Sequence, residues 1–137
     1  MKNLLKITLL FFVLNLAAQT SSKKNDFDIV KIGVFEFESE SIDYGKINQN
    51  ADGNRIFIFK NTGNSPIIIS KIKASCGCTV ASKPNKPIMP GETAGINVKY
   101  ATNRVGTFSK SITVISNAKT RHKVLRIKGT VLKNEQS

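Results

Sequence analysis

The stretch RIFIFKNTGNSPIIISKIKAS, residues 55–75, decides the fold, because it contains two short runs rich in Ile and Phe, separated by turn residues. In its first part, Phe57 and Phe59 share one face of an extended chain and Ile56 and Ile58 share the other. A period of two over so short a run predicts a β-strand with one face on a core. The Asn-Thr-Gly-Asn sequence that follows has the residues typical of a turn.

The second part of the stretch, PIIISKIKAS at 66–75, continues the alternation without interruption. It predicts that Ile67 and Ile69 lie on one face and that Ile68, Ile72 and Ala74 lie on the other. Two strands joined by a short turn are therefore expected here.

Further alternating runs follow at intervals of about ten residues, separated by turn residues. One of these turns holds Pro90-Gly91, a favoured pair because proline presets its own φ and glycine accepts a positive one. The inward-facing positions predicted along these runs are Phe35, Phe37, Ala94, Ile96, Val98, Tyr100, Phe108, Ile112, Val114, Leu125 and Ile127. Short strands at this spacing, without a long helical pattern, predict an antiparallel sandwich.

We therefore expect an all-β fold, an immunoglobulin-like antiparallel β-sandwich of about seven strands. It is immunoglobulin-like in the loose sense only, because the chain has no tryptophan and no widely spaced cysteine pair.

The first residues have the order of a secretory signal peptide. Lys2 and Lys6 precede an apolar run at 7–16, and Ala17 and Ala18 follow it. The run is about half as long as a membrane-spanning helix requires. The predicted segments are a signal peptide at 1–19, a flexible lead-in at 20–28, the sandwich at 29–133 and a C-terminal tail at 134–137. We expect a periplasmic or secreted protein with no membrane span after the signal is removed.

The chain has 137 residues and a net charge of +12, which falls to +10 when Lys2 and Lys6 are lost with the signal peptide. The length fits one domain. The lysines are spread along the sequence and tyrosines number two, so platforms for stacking nucleobases are scarce. We expect a protein or cell-envelope partner and no nucleic acid. Attachment to an anionic surface polymer through the lysines is a further possibility.

The run KASCGCTVAS, residues 73–82, contains both cysteines of the chain, Cys76 and Cys78. Export would place them in an oxidising compartment, where such a pair is bonded or metal-bound more often than free. A structural zinc site needs four ligands, and one cysteine pair with one histidine does not supply them. Copper(I) accepts few, soft ligands, and Cys76 and Cys78 could hold it with Met89 or between two chains.

A disulfide and simple packing are the other two interpretations of this run. Residues two apart in a strand face the same side, with Cα atoms about 6.6 Å apart, close to the upper limit of about 6.8 Å for a disulfide. Gly77 allows a bend that shortens this distance. A bond that closes so short a loop adds little stability. Two free thiols could instead fill a tight corner as small apolar groups.

The segments FIFKNTGNSPIIISKIKASCGCTVAS, PIMPGETAGINVKY, GTFSKSITVISN and LRIKGTV resemble a bacterial family, domain of unknown function 1573, whose hallmark is a Ser-Cys-Gly-Cys-Thr run. The resemblance covers about 42–132. The family it points to looks related to the immunoglobulin-like modules of cilium and centrosome scaffolds. It implies a β-sandwich and, by analogy only, a binding or scaffolding role, with no catalytic residue to carry over. The residues that carry it most specifically are Asn61, Gly63, Ser75, Gly77, Thr79, Pro90 and Gly91.

Catalytic groups are scarce in the sequence. The one histidine, His122, has no identifiable partner, and it could serve Cys76 or Cys78 only if the fold brought them together. The alternate acidic residues Glu36 and Glu38, continued by Glu40, are typical of a solvated strand face. We expect no enzyme and no cofactor, but a secreted or periplasmic binding or structural module. The alternative is a thiol-based copper-binding or redox-active protein that uses the Cys-Gly-Cys motif.

Overall fold

The computed structural model describes residues 29–135, which form two sheets of four strands each. The eight strands are β1 (Phe35–Phe37), β2 (Ser41–Asn48), β3 (Asn54–Asn61), β4 (Ile69–Ala74), β5 (Thr79–Ser82), β6 (Thr93–Tyr100), β7 (Gly106–Ser116) and β8 (His122–Leu132). Within residues 29–135, no helix has the length and apolar character needed to cross a membrane. The predicted signal peptide (1–19) and lead-in (20–28) lie outside the described residues and stay predictions, as do the predicted limits of the sandwich and the tail.

The sheets have the strand orders β1-β3-β6-β5, called the front sheet here, and β2-β8-β7-β4, called the back sheet. The predicted β-sandwich is confirmed. It has eight strands against the prediction of about seven, and the first two, β1 and β2, lie in different sheets. β2 also pairs with β8 in parallel, whereas the other strand pairs are antiparallel.

The core lies between the sheets and contains most of the predicted inward-facing residues, whereas Phe35, Phe37 and Ala94 are only partly buried and Ile88 and Val131 join the core without having been predicted. Phe57 and Phe59 of β3 are buried against residues of β7 and β8 such as Ile112 and Leu125. Each such side chain contributes about 1.5–3 kcal/mol by leaving water. The fully buried apolar side chains are Phe57, Phe59, Ile67, Ile88, Ile96, Val98, Ile112, Val114, Leu125, Ile127 and Val131.

The predicted alternation in PIIISKIKAS is wrong beyond Ser70. Ile67 and Ile69 are buried and Ile68 is 52% exposed, as expected. The pairing of β4 with β7 then shifts between Ile69 and Lys71. An extra residue in one strand reverses the facing of every residue after it. Ile72 consequently packs on the core side, together with Ile69, instead of opposite it.

Asn61, at the end of β3, is fully buried and holds several segments together. Its side-chain oxygen accepts hydrogen bonds from the backbone N–H groups of Val34 (3.2 Å) and Gly63 (3.0 Å). Its side-chain nitrogen donates to the carbonyls of Ser65 (2.8 Å) and Ile88 (2.9 Å). All four hydrogen-bonding positions of the amide are therefore used, and they join the chain before β1 to the loops after β3 and before β6.

Gly63 lets the chain before β1 cross directly over the turn after β3. A Cβ atom on Gly63 would lie 2.7 Å from the Val34 nitrogen and 2.8 Å from the Gly33 Cα. Beside it, the N–H groups of Thr62 and Asn64 donate to the carbonyls of Val34 and Ile32. These bonds extend the β1–β3 pairing, and a larger residue at position 63 would push the two segments apart.

Tyr44 closes the other end of the core. Its hydroxyl donates to the carbonyl of Gly53 (2.8 Å), and the guanidinium of Arg55 lies 4.2 Å from the centre of its ring. Burial raises the pKa of Tyr44 above its ordinary value of 10.0, although the charge of Arg55 acts in the opposite direction. The phenol is therefore held in its neutral, donating form.

Replacing Asn61 should destabilise the fold strongly. Asn61→Ala removes two donors and one acceptor from a buried site and leaves backbone groups unpaired, so we expect a loss of about 2–5 kcal/mol in the free energy of unfolding. Urea unfolding of the variant measures this. Asn97→Ala, at an exposed position of β6, is the control and should change stability by less than about 0.5 kcal/mol. Equal losses from the two variants would contradict the role given to Asn61.

Tyr44 should make stability fall at high pH. Because its pKa is raised in the folded state, its contribution is complete below pH 10 and is lost as the pH rises through the folded-state value. Tyr44→Phe should cost about 1 kcal/mol near neutral pH through the lost hydrogen bond. The gap between the two proteins should narrow above pH 10, measured by urea unfolding at several pH values. A gap that stays constant would contradict this assignment.

Candidate functional site at the cysteine corner

Residues 75–78, called the cysteine corner here, carry the chain from β4 in the back sheet to β5 in the front sheet. The N–H of Ser75 donates to the carbonyl of Ser111 (2.9 Å), and the N–H of Ser111 donates to the hydroxyl of Ser75 (3.1 Å). Ser75 thus fastens the start of the corner to β7. On the far side, the carbonyl of Cys78 accepts a hydrogen bond from Ala101 (2.8 Å). The corner is therefore attached to both sheets.

The two cysteines face each other inside this corner. Their Cα atoms are 5.3 Å apart and their sulfur atoms lie within bonding distance. Cys78 is 4% exposed and belongs to the core, whereas Cys76 is half-buried. The N–H of Cys78 also points at the Cys76 sulfur, 3.2 Å away. The sulfur atoms are thus placed as the disulfide interpretation expects, and Cys78 packs in the core at the same time.

Gly77 was expected to allow the bend between the two cysteines, but the bend does not require glycine. The cysteine Cα atoms are closer than the roughly 6.6 Å expected in a strand, because residues 77 and 78 form a turn. A Cβ atom added to Gly77 would meet nothing within 4 Å, and its φ is not in the left-handed region. The shape of the turn therefore does not depend on a missing side chain at this position.

Met89 does not lie near the cysteines. It is 53% exposed, and its carbonyl accepts a hydrogen bond from Glu92 just before β6 begins. Cys78 adjoins Thr79, which pairs with Tyr100 at the far end of β6. The length of β6 separates the two sites by roughly 23 Å. Met89 therefore cannot share a copper ion with Cys76 and Cys78 of the same chain.

His122 and the acidic residues are also remote from the corner. His122 pairs with Ile115, four residues along β7 from the Ser111 that holds Ser75, so about 13 Å separates the two places along the strand. Glu36 and Glu38 are exposed on the front sheet side, and Glu40 forms an ion pair with Lys123. Across residues 29–135, no group of three or more His, Cys, Asp or Glu is arranged to hold a metal ion.

The motif residues separate into two groups at opposite ends of the sandwich. One group belongs to the Asn61 network and consists of Asn61, Gly63, Pro90 and Gly91. Gly91 has a φ of 81°, which confirms the predicted turn, and its N–H donates to the Asn61 carbonyl (2.7 Å). The other group, Ser75, Gly77 and Thr79, belongs to the cysteine corner, where Thr79 is buried beside Cys78.

The open edge of β5 is the feature that the sequence did not reveal. Each sheet has two edge strands, and most of them carry devices that discourage pairing with another chain. β1 is only three residues long and contains Glu36. β2 has a register shift between Asp43 and Lys46, and β4 has one before Lys71. β5 is short, but its sequence TVAS is uncharged and its pairing with β6 is regular.

β5 begins directly at the cysteine corner. Val80 points away from the core and is 67% exposed, next to Lys99 on the neighbouring strand. The sequence does not show that β5 is an edge strand. An edge strand differs from a central strand in its neighbours in the sheet and not in its own residues. The corner and β5 together form the candidate site.

Solved structures with this fold come from unrelated sources. A protein of unknown function from Porphyromonas gingivalis W83 matches with a TM-score of 0.65 and 16% identity, over 77% of this chain and 51% of that one. PapD-like domain 7 of human CEP192, an ASH domain, matches with a TM-score of 0.60 and 9% identity, over 77% and 89%. The Vibrio cholerae protease VesB matches with a TM-score of 0.56 and 10% identity, over 72% and 32%.

This chain thus spans about half of the Porphyromonas protein and a third of VesB. At these identities the likeness concerns the fold alone. No match to this sequence was found among curated proteins.

The sequence itself gives a more specific result, in agreement with the resemblance carried by the Ser-Cys-Gly-Cys-Thr run. The model of one protein family matches residues 35–131, which include all eight strands apart from the last residue of β8. The chain belongs to the family described as "Protein of unknown function (DUF1573)".

Proposed function

We propose that this protein is an exported, non-catalytic binding module that pairs an extended segment of a partner protein with the edge of β5. The observation that carries the proposal is the uncharged, regularly paired edge of β5 beside the cysteine corner. The order of charged, apolar and small residues at the N-terminus supports export to the periplasm or the medium.

The backbone of β5 has hydrogen-bonding groups available for such a partner. Cys78 and Ala101 form a hydrogen-bonded pair, and in an antiparallel ladder such pairs recur at every second residue. Val80 and Ser82 therefore use their backbone groups toward β6, whereas those of Ala81 point to the open side. An added strand would bond to these groups and place alternate side chains beside Val80.

The cysteine corner would support this edge by holding β5 in a fixed position. We infer that Cys76 and Cys78 form a disulfide in the exported protein, since their sulfur atoms lie within bonding distance. The bond would join half-buried Cys76 to the core residue Cys78 and so restrict the turn that leads into β5. Pre-organised edges lose less entropy when they bind.

A copper-binding or redox-active function has less support. Copper(I) sites use several soft ligands, and the third sulfur considered for the site, that of Met89, lies at the opposite end of β6. A catalytic thiol needs a neighbouring base, and His122 is separated from the corner along β7. Both arguments favour a binding module over chemistry at the two sulfur atoms.

Blocking the edge of β5 should abolish partner binding without unfolding the protein. Ala81→Pro removes an N–H that points to the open side, where proline is tolerated in edge strands. Peptides selected from a displayed random library on the purified protein serve as probes. We expect Ala81→Pro to weaken their binding at least about tenfold, and Ala81→Ser, which keeps the N–H, to leave it unchanged.

Amide hydrogen exchange shows whether the peptides bind at this edge. Binding should slow the exchange of the Ala81 amide in the unmodified protein, and thermal unfolding of Ala81→Pro should match that of Ala81→Ser within a few degrees. Peptides that protect a different strand, or that bind Ala81→Pro as well as the unmodified protein, would contradict the proposal.

The exported protein should have an intact mass about 2 Da below the value for two thiols, and it should resist alkylation until a reductant is added. Cys76→Ala with Cys78→Ala, which keeps the buried position apolar, should lower the free energy of unfolding only slightly, since the closed loop is very short. The same variant should bind the selected peptides more weakly, because the edge is less fixed. Rapid alkylation of both cysteines without reductant would exclude the disulfide.

A further inference from the structure

The outer face of the back sheet has an ordered arrangement of hydroxyl groups along β7. Alternate residues of a strand face the same side, and Phe108 and Ile112 face the core. The residues between them therefore face outward. Four successive outward positions carry hydroxyls, and they are Thr107, Ser109, Ser111 and Thr113. Together they form a row about 20 Å long, called the hydroxyl row here.

Cationic side chains flank the hydroxyl row on both sides. On β8, Lys128 is opposite Ser109 and Arg126 is opposite Ser111. On β4, Lys73 is opposite Thr113. Side chains opposite each other on neighbouring strands lie about 5 Å apart. A ligand that follows the row would thus meet hydroxyls below it and positive charges along both margins.

Little negative charge opposes these cations. Asp43 lies 3.7 Å from Lys128, but both side chains are more than half exposed, and exposed pairs of this kind neutralise each other weakly. The front sheet differs, because Glu36 is directly opposite Lys60 on its outer face. The two faces of the sandwich therefore present different surfaces, one positive and hydroxylated and one of mixed charge.

A shallow depression of about 390 Å³ lies beside the Thr107 end of the hydroxyl row and extends across β8 to β2. Thr107, Ser109, Lys128 and Thr130 are among its lining residues. It adjoins the register shift of β2 at Gly45, whose φ is 66°. A shallow site lined by hydroxyl groups and a cation is suited to one acidic sugar ring, and the volume is at the lower end for small-ligand sites.

We propose that the outer face of the back sheet binds a linear acidic polysaccharide, with one sugar in the depression and the following sugars along the hydroxyl row. The carboxylates or sulfates of the glycan would pair with Lys128, Arg126 and Lys73. Its hydroxyls would exchange hydrogen bonds with Ser109 and Ser111. This surface is separate from the edge of β5, so the inference holds whether or not β5 binds a partner.

The surface fits a glycan better than the other common polyanions. Nucleic acids are bound through aromatic residues on which bases stack, and the outward positions of β4, β7 and β8 carry no Phe, Tyr or Trp. Anionic membranes are bound by surfaces with protruding apolar groups. On this face β8 exposes two apolar residues, Val124 and Leu132, eight positions apart along the strand, so they do not form one protruding apolar patch. Hydroxyls and cations in alternation match the groups of an acidic sugar chain.

Binding of polygalacturonate oligomers to the purified protein, measured by calorimetry at several salt concentrations, tests the proposal. Lys73→Gln with Lys128→Gln should weaken binding about tenfold, as expected for two exposed ion pairs. Lys60→Gln with Lys99→Gln makes the same change of net charge on the front sheet and should weaken binding less than about twofold. Equal effects of the two double variants would overturn the proposal, because binding would then follow net charge alone.

The hydroxyls provide a second, independent readout. Ser109→Ala with Thr107→Val should weaken polygalacturonate binding about threefold and leave the binding of inorganic polyphosphate unchanged, since polyphosphate has no sugar hydroxyls. Single-stranded DNA and vesicles of phosphatidylserine and phosphatidylcholine should bind more weakly than polygalacturonate. Tighter binding of either, or no effect of the hydroxyl variant on the glycan, would overturn the assignment to an acidic polysaccharide.

Discussion

The buried side chain of Asn61 is the interaction on which the rest of the sandwich depends. Leaving a buried amide without partners costs more free energy than its hydrogen bonds add when they form. Asn61 is therefore stable in the core only when all the segments that bond to it are in place. Val34, Gly63, Ser65 and Ile88 supply those bonds from three separate parts of the chain. One polar residue thereby fixes how β1 enters the front sheet, how the chain leaves β3 and where the loop before β6 returns.

Periodicity alone predicted which residues of β3 and β6 face the core, because those strands pair regularly over their whole length. It failed where a strand contains an extra residue. Ser70 has no property that distinguishes a bulge from a regular position, so the reversed facing of Ile72 depends on the pairing with β7. The parallel position of β2 beside β8 likewise depends on a crossing of the chain between sheets, which local alternation does not record.

The candidate site was predictable in part. The spacing of Cys76 and Cys78 indicated that the two sulfur atoms could meet, and the structure places them within bonding distance. The sequence could not show that Met89 lies at the other end of β6, since it is only eleven residues from Cys78 in the chain. It also could not show that β5 is an edge strand, because this depends on the strand order of the sheet, in which β5 has β6 as its one neighbour.

The charge of +12 acquires a meaning only in the folded chain. Along the sequence the lysines are scattered, which suggests a uniformly solvated surface. In the folded chain, the pleat places alternate residues on the outer face, and β4 and β8 are the two neighbours of β7. Lys73 and Lys128 therefore lie on either side of the hydroxyls of β7. Which cations and hydroxyls share one outer face thus depends on which strands are neighbours in the back sheet, and the order of residues along the chain does not show it.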